Sequence, residues 1–291
     1  MSATPSELRL AAEAIARQAG AIVRTFYEQG FAIDHKGDVG NVVTDADRAS
    51  EAHIVAALRA RFPAHAIVAE EGGGVQGRSG RDGGDGGGED GPTITWLVDP
   101  LDGTNNFAHG FPVFAVTLAA VAAGQVLAGA TYDPLRDEMY SAHRGGGATL
   151  NGRPLAVSGT RQLAAALVGT GFAYDKSTTV DNNLAEVVTL VPLVRGLRRA
   201  GACALDLAWV AAGRLDAFWE RGPQAWDMAA GVLLVTEAGG RVTGHHGEPL
   251  DLDGGRIVAT NAHLHPVVLE RLAEARTLIG RLPQPATAVA V

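Results

Sequence analysis

Two aspartates three positions apart, Asp99 and Asp102, stand in the stretch Trp96 to Phe107, which reads W-L-V-D-P-L-D-G-T-N-N-F. The spacing predicts an apolar strand that ends at Asp99, a ladder stopped by Pro100, and a tight turn that aims both carboxylates at one point. Acids that close repel one another unless a cation sits between them. Gly103 and Thr104 follow where the chain turns into a helix, and their free backbone N–H groups suit phosphate oxygens. A second stretch, W-D-M-A-A-G from Trp226, places Asp227 at the start of an otherwise apolar helix. Taken singly these acids have plain readings: Asp227 as an N-cap, Glu70 as a solvated strand end, Asp47 as a first-turn acid favoured by the helix dipole.

The elements that must carry these residues can be read from periodicity. Thr4, Pro5 and Glu7 form an N-cap, a first-turn proline and a capping-box acid, and Leu8, Ala12, Ile15, Ala19, Ile22 and Phe26 then repeat at helical spacing. A second helix is expected from near Thr44 to about Arg61, stopped by Pro63, with Ala49, His53, Ala57 and Leu58 inward and Asp45 and Asp47 in its first turn. A short strand, Ala66 to Ala69, delivers Glu70 and Glu71. Next comes a tract, 72–92, in which 11 of 21 residues are glycine. That much glycine reads as a disordered surface loop. Ile94, Trp96 and Val98 alternate as a strand, and Val113 to Ala122 with Val126 to Tyr132 suggests a hairpin through Gly124-Gln125. Helical spacing returns at Leu184 to Val194, Leu205 to Ala212, Met228 to Ala238 and Val267 to Leu278. Interleaved strands and helices without an internal repeat indicate one layered α/β domain over 1–291.

Composition narrows the function classes. The chain has 291 residues, 46% of them hydrophobic, enough for a large core. Its net charge of -8 argues against a surface that neutralises nucleic-acid phosphates or anionic lipid. One cysteine, Cys203, allows no internal disulfide and fits a reducing compartment. No stretch approaches the roughly 20 apolar residues of a membrane span, and the first residues do not resemble a signal peptide, so a cytoplasmic protein is expected.

Taken together, V-T-D-A-D around Asp47, A-E-E-G around Glu70, the Asp99–Phe107 signature running on into A-H-G-F-P, and W-D-M-A-A-G resemble the inositol monophosphatases, in the superfamily of fructose-1,6-bisphosphatase. The segment from Arg198 to Glu220 is similar to that family's substrate side. The resemblance implies a layered α-β-α-β-α sandwich and a Mg²⁺-dependent phosphomonoesterase acting on a small phosphorylated polyol, foremost myo-inositol monophosphate. It implies two or three Mg²⁺ ions, one on Glu70, Asp99 and the Leu101 carbonyl and another on Asp99, Asp102 and Asp227. Asp47 and Thr104, with Glu70 assisting, would position or deprotonate the attacking water. Asp102, Gly103, Thr104, Ala202, Cys203 and Glu220 would meet the substrate. Lys36 stands where the family carries a loop lysine, and Asp206 is open between a helix-start cap and an orienting acid. A homodimer is implied as well. Histidinol phosphate, a sugar phosphate or 3′-phosphoadenosine phosphate remain alternative substrates, and a non-catalytic regulatory partner is the reading from another class.

Overall fold

The computed structural model describes residues 3–35, 42–72 and 94–279. Lys36 and nearly all of the glycine-rich tract, 73–92, lie outside the described residues. The chain runs α1 (Pro5–Gln29), β1 (Ile33–His35), β2 (Val42–Thr44), α2 (Asp45–Arg61), β3 (Ala66–Ala69), β4 (Thr95–Asp102) and α3 (Thr104–Ala108). There follow β5 (Ala115–Ala122), β6 (Gln125–Asp133), β7 (Glu138–His143), β8 (Ala148–Leu150), β9 (Arg153–Pro154) and β10 (Leu167–Thr170). The last part holds α4 (Leu184–Leu190), β11 (Gly196–Arg198), α5 (Cys203–Ala211), β12 (Ala217–Arg221), α6 (Ala225–Glu237), β13 (Arg241–Thr243), β14 (Arg256–Thr260) and α7 (His265–Arg276).

Strands β3 to β9 form one sheet in sequence order, parallel only between β3 and β4. A second sheet has the order β11-β10-β12-β14-β13. One face of the larger sheet packs Trp96, Val98, Leu118 and Ala130 against α1 and α2. Its other face packs Leu97, Ala119 and Tyr140 against α5 and α6, which also meet Phe218, Ile257 and Ala259 of the second sheet. The outer face of that sheet, through Val168, Trp219 and Val258, is covered from α7 and α4 by Leu272 and Leu190. The layering is therefore α-β-α-β-α, as the resemblance implied.

The sequence-derived elements need several corrections. The strand does not stop at Asp99. It continues to Asp102, because a bulge between those residues lets the chain pass Pro100 without a ladder hydrogen bond. The hairpin turn is Ala123-Gly124, both at positive φ (48° and 73°), which matches the twist of the strands it joins. α2 buries Ala46, Asp47, Ser50, Ile54 and Leu58, whereas Ala49, His53 and Ala57 are half-buried, so the apolar stripe lies about one position round from the expected one. α4 ends at Leu190, four residues early. The strands from β7 on carried no alternation strong enough to be read.

α6 lies so close to the large sheet that a Cβ added at Gly129 on β6 would come within 2.9 Å of both Cα and Cβ of Ala230. Gly129→Ala is expected to lower stability by about 1–3 kcal/mol through overpacking. Urea denaturation measures it, and an unchanged midpoint would show that α6 is free to move away.

Candidate active site

The site begins with strand register. Parallel pairing sets Ala69 opposite Val98, and the Glu70 amide still donates to the Val98 carbonyl at 3.2 Å. Glu70 and Asp99 therefore leave the sheet from neighbouring strand ends. The bulge turns the next residues back: the Leu101 amide donates to Asp99 Oδ1 at 2.9 Å, and the Ser50 hydroxyl on α2 holds the Pro100 carbonyl at 2.8 Å. Asp102 then accepts the Ala204 amide on Oδ2 at 2.8 Å, which fixes the first turn of α5 against the end of β4.

Gly103 makes that approach possible. It has φ of +91°, and a Cβ there would sit 2.9 Å from the Val113 carbonyl and 3.3 Å from Ala202 Cβ. Only glycine fits without displacement. Asn106, one turn into α3, donates through Nδ2 to the carbonyls of Val113 and Ala200, both at 2.8 Å. The Gly103-Thr104 corner and the Ala202-Cys203 backbone are thus held together by packing and by hydrogen bonds.

Asp47 is fully buried at the third position of α2. Its Oδ2 accepts the Thr44 amide at 2.8 Å and the Thr44 hydroxyl at 2.6 Å, which completes a capping box. Thr104 Oγ1 lies 3.0 Å from Asp47 Oδ1 and 3.0 Å from the Leu101 carbonyl, and its single proton can serve one of them at a time. Burial raises the Asp47 pKa, opposed by the hydrogen bonds from Thr44 and Thr104.

One cavity is lined by Asp102, Gly103, Thr104, Cys203, Glu220 and Asp227 among others. Ala202 and Asp206 line it too. Asp227 is the third residue of α6 and accepts the Gln224 amide on Oδ2 at 2.7 Å; the N-cap is Gln224, so the plain capping reading is corrected by three positions. Asp206 is not a helix-start cap either, since it lies one turn inside α5, is 1% exposed, and leaves Oδ1 without a hydrogen-bond partner. The sequence reading missed Phe172, Ala173, Tyr174 and Lys176, which also line the cavity. That segment has no periodicity, and only its chemistry-bearing residues, Tyr174 and Lys176, were available as a signal.

The electrostatics are one-sided. Burial first, then Glu70, Asp102 and Asp227, push the Asp99 carboxyl well above its usual range. Burial and Asp227 do the same to Asp102, against the Ala204 hydrogen bond. Glu220 is pushed up to about 8 by burial and Asp227, with Arg199 and the Cys203 thiol opposing. Among the described residues, the charged groups that act most strongly on Asp99 and Asp102 are other acids. Like charges withdrawn from water without a counter-charge suit a hard cation, and every candidate donor here is oxygen. Among the described residues, no three or more His, Cys, Asp or Glu form a ready-made metal cage. Mg²⁺ takes hard oxygen donors and completes its shell with water and phosphate oxygens, so the chemistry of the donors fits that ion although the acids are not gathered into a closed cage.

The inositol monophosphatase family matches the chain over residues 4–279, and the chain belongs to that family. An inositol-1-monophosphatase from Synechocystis sp. is 44% identical over 274 residues, covering 93% of this chain and 91% of that protein. The Nus factor SuhB of Pseudomonas aeruginosa is 46% identical over 257 residues, covering 87% of this chain and 91% of that protein. Among solved structures, the inositol monophosphatase from Anabaena superposes with a TM-score of 0.79 at 40% identity, covering 92% of this chain and 95% of that one.

Because the folded chain holds protons on Asp99 and Asp102 that the unfolded chain releases above about pH 4, these groups cost stability as pH rises from there. In chelator, Asp102→Asn is therefore expected to gain stability relative to the parent, and to gain more at pH 8 than at pH 5. Denaturant midpoints at the two pH values test this; a gain that shrinks with rising pH contradicts the repulsion.

Proposed function

We propose that this member of the inositol monophosphatase family is a single-domain, Mg²⁺-dependent phosphomonoesterase that hydrolyses a small phosphorylated polyol, foremost an inositol monophosphate, to the alcohol and phosphate. The observation that carries the reading is the cavity that Asp102, Asp227 and Glu220 line together with the Gly103-Thr104 corner. Family membership and relatives named inositol-1-monophosphatase support the substrate class.

In this reading Glu70, Asp99 and the Leu101 carbonyl would hold one ion, and Asp99, Asp102 and Asp227 would hold a second. When bound, Mg²⁺ makes water more acidic and neutralises charge on the phosphoryl group. The Gly103 and Thr104 amides orient the phosphate. Thr104 gives its hydroxyl proton to Asp47 Oδ1, 3.0 Å away, which leaves an oxygen lone pair facing the water that attacks phosphorus. Asp47 accepts charge density in a buried setting where its raised pKa brings it nearer to a working base. The water proton passes to the Thr104–Asp47 pair with Glu70 assisting, the bond from phosphorus to the ester oxygen breaks, and the departing alcohol takes up a proton. Glu220, Asp102 and the Ala202-Cys203 backbone accept or donate hydrogen bonds to the alcohol's hydroxyls.

We assign the working form as a homodimer in the cytoplasm. Of the nine large apolar side chains most exposed among the described residues, five fall between Val180 and Leu193, apolar surface suited to a second copy. The SuhB name of a relative 46% identical supports a second reading, a regulatory partner without turnover.

Phosphate release from a panel of inositol, histidinol, sugar and 3′-phosphoadenosine phosphates separates these readings. Turnover is expected to vanish in EDTA, return with Mg²⁺, and be greatest in kcat/KM for an inositol monophosphate. Asp102→Asn is expected to lose at least about a hundredfold in kcat while remaining folded. Full turnover in metal-free buffer, or a dominant value for histidinol phosphate, would overturn the corresponding part of the proposal.

A further inference from the structure

The 3₁₀ turn Tyr174–Ser177 lies between β10 and α4. Tyr174 and Lys176 line the cavity that holds Asp102, Glu220 and Asp227. Asp175, between them, is turned to Arg221, whose Nη1 and Nη2 donate to Oδ1 and Oδ2 at 2.7 and 2.8 Å. Two parallel bonds from a planar guanidinium fix orientation as well as distance. Arg221 directly follows Glu220 on β12, so the strand that presents Glu220 to the cavity also grips the neighbouring turn.

The same segment is tied down again further on. Asp181 pairs with Arg256, which lies directly opposite Arg221 across the β12–β14 ladder, and it lies 3.9 Å from Arg221 Nε. One acid thus relieves two arginines that would otherwise repel across the sheet. Asn182 donates to the Lys176 carbonyl at 3.3 Å, and Asn183 donates to the Gly171 carbonyl at 2.6 Å while accepting Trp219 Nε1 at 2.7 Å. Gly222, at φ of +103°, leaves room for the turn: a Cβ there would come within 2.5 Å of Ala173 Cβ.

Partly exposed ion pairs contribute little to stability, so a forked pair on an exposed turn is better explained by what it positions. Tyr174 is 56% exposed, an unusual place for an aromatic ring unless a ligand covers it. At neutral pH its hydroxyl keeps its proton and is a hydrogen-bond donor at the cavity.

We infer that the Asp175–Arg221 pair is a positioning clamp that holds Tyr174 and Lys176 as the substrate-selecting wall, so that a ring-sized polyol phosphate is preferred over a short-chain phosphate ester. The inference rests on the phosphatase reading of the same cavity. The Tyr174 ring offers a flat apolar face to the C–H face of a cyclic polyol, while its hydroxyl and the Lys176 ammonium donate to ring hydroxyls. A three-carbon ester held at the Gly103-Thr104 corner has no ring face to lay against Tyr174.

Steady-state kinetics of the full chain with Mg²⁺, on inositol 1-phosphate and glycerol 2-phosphate, test it. Asp175→Asn is expected to raise KM for inositol 1-phosphate about tenfold with kcat within about twofold, and to change KM for glycerol 2-phosphate less than about twofold. Arg221→Gln should do the same, and the double substitution should do no more than the larger single one, since each removes the same contact. Tyr174→Ala, which breaks no ion pair, should reduce the preference for inositol 1-phosphate in the same direction and serves if either clamp variant fails to fold. Equal loss on both esters, additive effects of the two clamp substitutions, or an unchanged preference in Tyr174→Ala overturns the clamp and leaves the phosphatase reading intact. Absence of turnover by the parent chain on any phosphate ester overturns that reading instead.

Discussion

Carboxylates pulled out of water without a compensating cation are the constraint around which this chain is built. Asp99 and Asp102 are 2% and 8% exposed, and each has a single backbone amide as its hydrogen-bond partner. The groups acting on them from nearby are further acids. Ordinary burial opposes such an arrangement by several kcal/mol per ion, so the rest of the fold has to hold it in place. It does so with apolar layers on either side of the larger sheet and with backbone features that admit no other geometry: the bulge in β4, the left-handed Gly103, and the amide of Ala204 placed against Asp102.

The two sheets divide the work. The larger one supplies Glu70, Asp99 and Asp102 from two adjacent strands, and α2 backs them with Asp47 and Ser50. The smaller sheet and the helices between the layers supply Asp227, Glu220 and the Ala202-Cys203 backbone. A carboxylate on one side accepting an amide from the other ties the layers at the point where the chemistry is proposed. Stability and function are therefore opposed at the same residues, a common condition of active sites in which charges are preorganised before substrate arrives.

Selectivity is arranged differently from chemistry. The acids near the Gly103-Thr104 corner sit on strand ends and helix starts, whose positions are set by the packed core. The substrate-selecting wall is a short turn held by surface ion pairs and asparagine side chains. Such a turn tolerates substitution without loss of the core, so the alcohol admitted can vary while the acids stay fixed.

What the sequence determined was the local chemistry and the order of its parts. Thr4 with Glu7, the alternation into Asp99, and the apolar run after Asp227 are short-range patterns, and each gave its element because capping and burial act within a few residues. Asp47, Glu70, Asp99, Asp102 and Asp227 were legible as candidates through motif order and spacing, which carry information that single residues do not. The tertiary structure alone decided that Glu70 and Asp99 leave neighbouring strands, since that follows from the parallel register of β3 and β4 across a gap of 29 positions in number between them. It alone decided that Gln224 rather than Asp227 caps α6, and that Asp206 is buried inside α5. Tyr174, Asp175 and Lys176 carried no periodic signal, because their positions depend on Arg221 and Arg256, which only sheet pairing brings to them. Contacts of that kind join residues far apart in the chain, and no local pattern records which of many possible partners the folded layers will select.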